Sequence, residues 1–361
     1  MMIQRIFGGP GRYYQGEGVL DRLGAIIRPF TRRAGIIIDA PVARILGDRI
    51  LRAFAGSAEI HIEPCSMEVT RQAIAELAGV MATCDVIVGV GGGKAIDLAK
   101  GVSVRRHVPV VTVPTIASND SPTSSAIAIY DEAHTLIAVD IMEMSPAAVI
   151  VDTGVIARAP SRFLRAGIGD AIAKKFEAEG CFRGSGNTIF GTRPLAIGAI
   201  IANGCFHQIR AHASVGLRDA AAGRVSADLD ALIEAVILLS GVGFENGGLS
   251  LAHAMTRGLM RARGASHALH GEHVAYGLRV HLALLGDHRE IAAELDIFYN
   301  EIGLPRRLAD LGMADATPAE ILAIAELAMT APHIANFPSR PDAKTIAEVM
   351  ILLEAQEDPY P

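Results

Sequence analysis

The sequence predicts an α/β N-terminal domain built on a mostly parallel, Rossmann-like sheet, followed by an all-α domain. Three observations carry this. Short β-branched runs alternate with helical patterns up to about residue 155. The runs are almost uninterruptedly apolar, as strands covered on both faces must be. Beyond that point strand runs stop and helices of 10–20 residues take over.

The elements follow in order. "AGIIID" (34–39) is a strand and "APVARILGDRILRAFAG" (40–56) a helix. "AEIHIEP" (58–64) is a strand, and "SMEVTRQAIAELAGVMA" (66–82) reads as one helix. "CDVIVGVG" (84–91) enters a glycine-rich turn, and a helix opens near Lys94. "HVPVVTVPT" (107–115), "AIAIY" (126–130), "TLIAV" (135–139) and "AAVIVD" (147–152) complete the strands. The division expected is 1–157 for the α/β nucleotide-binding part and 158–361 for the helical metal- and substrate-binding part. The cleft between them is the expected site.

Composition narrows the class. Half of the 361 residues are hydrophobic and a fifth are charged, so the chain has ample core. A net charge of −6, with basic residues dispersed, argues against nucleic acid or an anionic membrane as partner. Four separated cysteines without a CxxC pair suit a reduced, cytoplasmic protein. No signal peptide is visible in "MMIQRIFGGPGRYYQGEG". The apolar stretch 194–209 is shorter than a membrane span and reads as a buried helix.

The turn "VIVGVGGGKAIDLAK" (86–100) has the build of a phosphate-binding loop but matches neither standard template. A Walker loop would need Gly at 88 and Ser or Thr at 95, where Val88 and Ala95 stand, so no Mg²⁺-binding hydroxyl is present. In a GxGxxG frame begun at Gly89, the last glycine would be Lys94. The acid at a strand end, Asp39, precedes the glycines by about 50 residues instead of following them by about 20. The physics still holds: Gly91, Gly92 and Gly93 allow close backbone approach, and the next helix offers free N–H groups. A second loop, "VPTIASNDSPTSS" (113–125), is rich in hydroxyls and follows the neighbouring strand.

The helical half holds an acid and histidines in distinctive settings. Asp170 follows two glycines in "GIGD", His253 lies in an apolar helical stretch, and "SHALHGEHVAYG" carries His267, His270 and His273. One carboxylate with two imidazoles and an open position is a catalytic zinc pattern. The last three histidines are spaced i, i+3, i+6 on one helix side, and not all need be ligands. The remaining eight histidines are read as ordinary hydrogen-bonded residues.

Taken together, "PGRYYQGEGVLDRLG", "GVGGGKAIDLAK", "VPTIASNDSPTSSAIAIY", "GIGDAIAKKFEAE", "GFENGGLSLAHAM" and "HGEHVAYG" resemble, in order, the motifs of the iron-containing alcohol dehydrogenase superfamily, in its zinc-dependent glycerol dehydrogenase branch. The resemblance runs over nearly the whole chain and implies a dehydroquinate synthase-like architecture. It implies NAD-dependent oxidation of glycerol, or a similar small vicinal diol, to dihydroxyacetone by hydride transfer from a zinc-bound alkoxide. Asp170, His253 and His270 are implied as Zn²⁺ ligands that also face the substrate. Asp39 is implied at the adenosine ribose, and Gly91, Gly92, Gly93, Lys94 and Ala95 at the pyrophosphate. Thr115, Ile116, Ala117, Ser118, Ser124, Ala126 and Tyr130 match further cofactor positions. Asp120 matches the position that contacts the polyol and is the candidate catalytic residue. Relatives also assemble as homo-oligomers.

Two departures stand out. His273 takes a place that is often Lys, which argues against it as a ligand. Lys174 stands where iron-using relatives carry a third His. Lys174 and Lys175 are read as lying on the solvent side of their helix. A lysine facing the cleft would instead favour a phosphorylated or acidic substrate. The alternatives on the same architecture are a sugar-phosphate cyclase resembling dehydroquinate synthase and a glycerol-1-phosphate dehydrogenase, both needing phosphate contacts.

Overall fold

A computed structural model describes residues 4–355. The outermost residues of the expected domain division, 1–3 and 356–361, lie outside the described part. The strands are β1 (Tyr13–Gln15), β2 (Arg33–Asp39), β3 (Glu59–Cys65), β4 (Val86–Gly91), β5 (Val110–Pro114), β6 (Ala126–Tyr130), β7 (Leu136–Ile141) and β8 (Ala148–Val151). Six of them form one sheet in the order β1-β8-β5-β4-β2-β3, and every pairing is parallel.

The chain runs outward from β2 to β3, then returns past β2 to β4 and continues the other way. The direction of winding therefore reverses between β2 and β4. Open parallel sheets bind ligands at the carboxyl ends of the strands at such a reversal. Asp39 ends β2 and Gly91 ends β4, so both stand at that point. Ile36, Ile37 and Ile38 of β2 and Val86 to Val90 of β4 are buried, which explains their unbroken apolar sequence.

The structure departs from the sequence reading in four places. β6 and β7 form a separate antiparallel pair and do not join the main sheet. β7 alternates half-buried and exposed residues, as a strand covered on one face does. The strand β1 is an addition, only three residues long. The helix expected from 66 begins at Arg71, because the Thr70 hydroxyl accepts the Ala73 N–H at 3.0 Å and caps it there. The helix expected to be buried is Ala196–Ala221, with one face in the core and Ile197 and Ile200 exposed on the other.

All later elements are helical. The helix Ser161–Ile172 packs against His270–Leu285, and their crossing is unusually close. A Cβ at Gly271 would lie 1.7 Å from the Ala166 carbonyl oxygen, and one at Gly169 would lie 2.4 Å from the Gly271 carbonyl oxygen. Glycine is required at both positions for the backbones to touch. That contact brings the start of one helix to the end of the other, with His270 beside Asp170. One core cluster joins these helices to the sheet through Val149, Val151 and Ala117.

Candidate active site

The cofactor side is built at the strand ends. Asp39 accepts the Gly92 N–H at 2.7 Å through Oδ2. A Cβ on Gly91 would meet that same oxygen at 2.2 Å, and Gly91 has φ +147°. Only glycine lets the turn pass so close to the acid. Burial pushes the Asp39 carboxyl up, partly offset by the Gly92 N–H and by Lys94. The helix Gly93–Arg106 has no side chain capping its N-terminus. Its first-turn N–H groups, among them those of Gly93, Lys94 and Ala95, are thus available to an anion. The Lys94 ammonium turns aside and pairs with Glu68 at 2.7 Å.

The loop after β5 forms the facing wall. The Thr115 N–H donates to the Gly91 carbonyl at 3.0 Å. Ile116 lies against Gly92, and Ala117 is buried while Ser118 is half-buried. Buried Lys100 fixes the far end of this loop, donating to Ser121 Oγ at 3.0 Å and the Ala126 carbonyl at 2.8 Å. Asp97 completes the brace, accepting Ser121 Oγ–H at 2.6 Å and the Ala128 N–H at 3.1 Å. Ser124 is buried and Ala126 half-buried. Tyr130 is half-buried, its hydroxyl pushed up to about 12 by burial and by the charges of Asp97 and Glu68.

The second part of the site is an acid–histidine cluster. One ligand atom each from Asp170, His253 and His270 lie within 4.8 Å of one another. His253 Nε2 is 3.0 Å and His270 Nε2 3.8 Å from Asp170 Oδ1. Asp170 is 1% exposed, whereas the His270 side chain is 43% exposed. Desolvation in the pocket lowers the His270 pKa, only partly offset by Asp170. His267 lies outside the helix, in a short turn, because the helix starts at His270 itself. The three histidines therefore do not share one helix. His273 is buried and its Nε2 meets the Ala265 carbonyl at 2.7 Å, away from the cluster.

Lys174 corrects the sequence reading most sharply. It does not lie on the solvent side: its side chain is 2% exposed. As residue i+4 from Asp170 it shares that face of the chain. Its ammonium donates to Asp170 Oδ1 at 2.6 Å and to His253 Nε2 at 2.9 Å, and pairs with Asp120 Oδ2 at 3.1 Å. Burial would lower its pKa, but Asp120, Asp170 and Glu177 outweigh that and raise it, so it is a permanent cation. Lys175 is taken up by Glu179 at 2.6 Å and Asn203 at 2.8 Å.

Asp120 joins the two halves. It sits on the same loop as Thr115–Ser118, yet its carboxylate reaches Lys174 and accepts from Ser240 Oγ at 3.2 Å. Burial raises its pKa; Lys174 partly offsets this and the nearby Asp170 charge adds to it.

Two acids escaped the sequence reading. Glu177, fully buried, lies 2.5 Å from His253 Nδ1. It stands seven residues after Asp170, two helical turns on, and that spacing was the available signal. Glu245, also buried, accepts the Ser125 N–H and thereby holds the hydroxyl-rich loop.

Residues 14–160 match the family described as iron-containing alcohol dehydrogenase. A glycerol dehydrogenase of Thermotoga maritima is 34% identical over 96% of this chain and 95% of its own. The chain belongs to the iron-containing alcohol dehydrogenase family. Another relative, a glycolaldehyde reductase of Halobacterium salinarum, is 34% identical over 90% of this chain and 89% of its own. The crystal structure of a probable glycerol dehydrogenase from Sinorhizobium meliloti superposes with a TM-score of 0.92 at 34% identity, covering 98% of both chains. As in that alcohol dehydrogenase fold, the parallel sheet precedes the helical region.

Proposed function

We propose that the protein is a glycerol dehydrogenase, oxidising glycerol or a similar small vicinal diol to the hydroxyketone with NAD as hydride acceptor. The observation that carries this reading is the position of Asp120: one loop lines the nucleotide crevice and also places a carboxylate in the acid–histidine cluster. A substrate held by the cluster would thus lie within reach of a cofactor held by the strand ends.

The donor set fits a divalent metal. One carboxylate and two imidazoles leave a fourth tetrahedral position open, the arrangement of catalytic zinc. Asp170, His253 and His270 would hold the ion, and zinc is the metal we assign. When bound, the metal supplies Lewis acidity toward an alcohol oxygen and NAD takes the hydride. Glu177 holds the His253 ring by Nδ1 and directs Nε2 into the pocket. Asp120 orients a polyol hydroxyl, and its raised pKa suits it to receive a proton. Gly91, Gly92, Gly93, Lys94 and Ala95 form the pyrophosphate seat, and Thr115, Ile116, Ala117, Ser118, Ser124, Ala126 and Tyr130 the wall for the rest of the dinucleotide. Asp39 accepts ribose hydroxyls and repels a 2′-phosphate, favouring NAD over NADP.

A phosphorylated substrate is less well served. The ammonium groups of Lys174 and Lys175 are both engaged by carboxylates. Among the described residues, no helix is long and apolar enough to cross a membrane. Four buried, unpaired cysteines suit a reduced, cytoplasmic setting. Exposed Ile137, Val139, Ile141 and Met144 offer an apolar row for homo-oligomer formation.

The test is NADH formation at 340 nm across a panel of glycerol, 1,2-propanediol, other vicinal diols and 2-hydroxy acids. It is run on the protein as purified, after chelation, and after zinc restoration. Activity with glycerol that chelation removes and zinc restores is expected. Full activity after complete chelation would sink the metal assignment, and no net NADH from any diol would sink the reaction.

A further inference from the structure

We propose that Lys174 is an internal competitor of the metal: its ammonium holds Asp170 and His253, and a divalent ion must displace it onto Asp120. The inference rests on the reading above that Asp170, His253 and His270 hold a divalent metal.

The geometry requires the competition. The Lys174 ammonium meets Asp170 Oδ1 and His253 Nε2, at 2.6 and 2.9 Å. Both belong to residues of the proposed ligand set, and with Nδ1 of His253 engaged by Glu177 its Nε2 is the nitrogen left for a metal. An ammonium and a metal cannot share one lone pair of an imidazole nitrogen. Lys174 stands one turn after Asp170 and its side chain is 2% exposed, so it has no open route to solvent. Its third partner, Asp120 Oδ2 at 3.1 Å, is outside the ligand set and supplies the place to which it withdraws.

Charge supports coexistence after displacement. Asp120, Asp170 and Glu177 contribute three buried carboxylates, and Lys174 is the one permanent cation among these contacts. Two negative charges remain with the histidines neutral, which a divalent ion would balance. Lys174 therefore stabilises the pocket before metal arrives and weakens metal binding when it does. Asp120, held by the displaced ammonium, is fixed beside the substrate position.

The experiment measures zinc affinity of the full-length protein by competition with a chromophoric chelator at fixed pH. Lys174→Met, of similar length and uncharged, should tighten zinc binding by on the order of ten- to a hundred-fold, the range that neighbours of metal ligands command. Its metal-free form should melt below the chelated wild type, and zinc should raise its Tm by more than it raises the wild type's. Asp120→Asn removes the receiving carboxylate and should weaken zinc binding, although Asp120 is no ligand. Unchanged or weaker zinc affinity in Lys174→Met, with the wild type binding zinc, would overturn the competition and leave the metal reading standing. If neither protein binds zinc, the metal reading itself fails and this inference with it. Should Lys174→Met not fold, Asp120→Asn decides: equal or tighter zinc binding overturns the proposal.

Discussion

Glu177 grips His253 at two points and nearby Ser250 at a third. Its Oε2 meets the His253 Nδ1 at 2.5 Å, and its Oε1 accepts the backbone N–H groups of His253 at 3.0 Å and Ser250 at 2.8 Å. Burial would push the Glu177 carboxyl up, but His253 outweighs it and draws the pKa down to about 2. The imidazole is thereby fixed in ring orientation and made more basic at Nε2. Glu177→Gln keeps the volume and loses the charge. It is expected to lower zinc affinity about 10–100-fold, read by chelator competition, and to lower kcat with zinc in excess far less.

Asp39 and Gly92 make a further prediction. Asp39→Gly removes both the ribose acceptor and the acid that anchors the turn. The ratio of kcat/KM for NADP to that for NAD should rise by about tenfold or more, as expected for loss of a charge repelling the 2′-phosphate. No gain for NADP would remove Asp39 from the ribose.

Gly91→Ala tests the turn itself. The added methyl would meet Asp39 Oδ2 at 2.2 Å, at a φ that L residues rarely adopt. Dinucleotide binding measured by calorimetry should fall by about two orders of magnitude or more, the consequence of strain of a few kcal/mol. Zinc affinity, set at the other cluster, should stay unchanged.

His281 contributes to the acid side of stability. It is fully buried, neither ring nitrogen has a hydrogen-bond partner, and its ring packs edge-on against Phe337 at 4.8 Å. Desolvation lowers its pKa to about 4, slightly opposed by Glu177. The unfolded chain would protonate it near 6.5. Between these values the unfolded state binds more protons, so stability is full above pH about 6.5 and falls as pH drops toward about 4. The loss is up to roughly 3 kcal/mol. Denaturant titrations from pH 7.5 to 4 should show this slope, and His281→Phe should make it shallower.

Most of the sheet was legible because buried parallel strands write themselves as apolar runs, as in β2 and β4. The β6–β7 pairing was not, since a short run states that a strand exists but not its partner. Three-residue β1 carries too little pattern to register. At the site, motif order points to Asp170, His253 and His270, whereas the sequence puts Lys174 on the solvent face and the structure buries it. Charge suggested solvent, while the i+4 spacing from Asp170 pointed inward, and the spacing decided the matter because buried carboxylates were waiting. Glu177 is hidden for a related reason: an acid inside a helical stretch reads as surface until its histidine partner, 76 residues on, is known.

The Gly169–Gly271 crossing constrains motion. Where two helices meet backbone to backbone, no side chain can change rotamer to let one slide on the other. Asp170 and His270, carried on those two helices, therefore travel as a single block. Asp120, paired with Lys174 four residues beyond Asp170, is tied to that block as well. The acid–histidine cluster and Asp120 together form an unyielding anvil against which a substrate would be held.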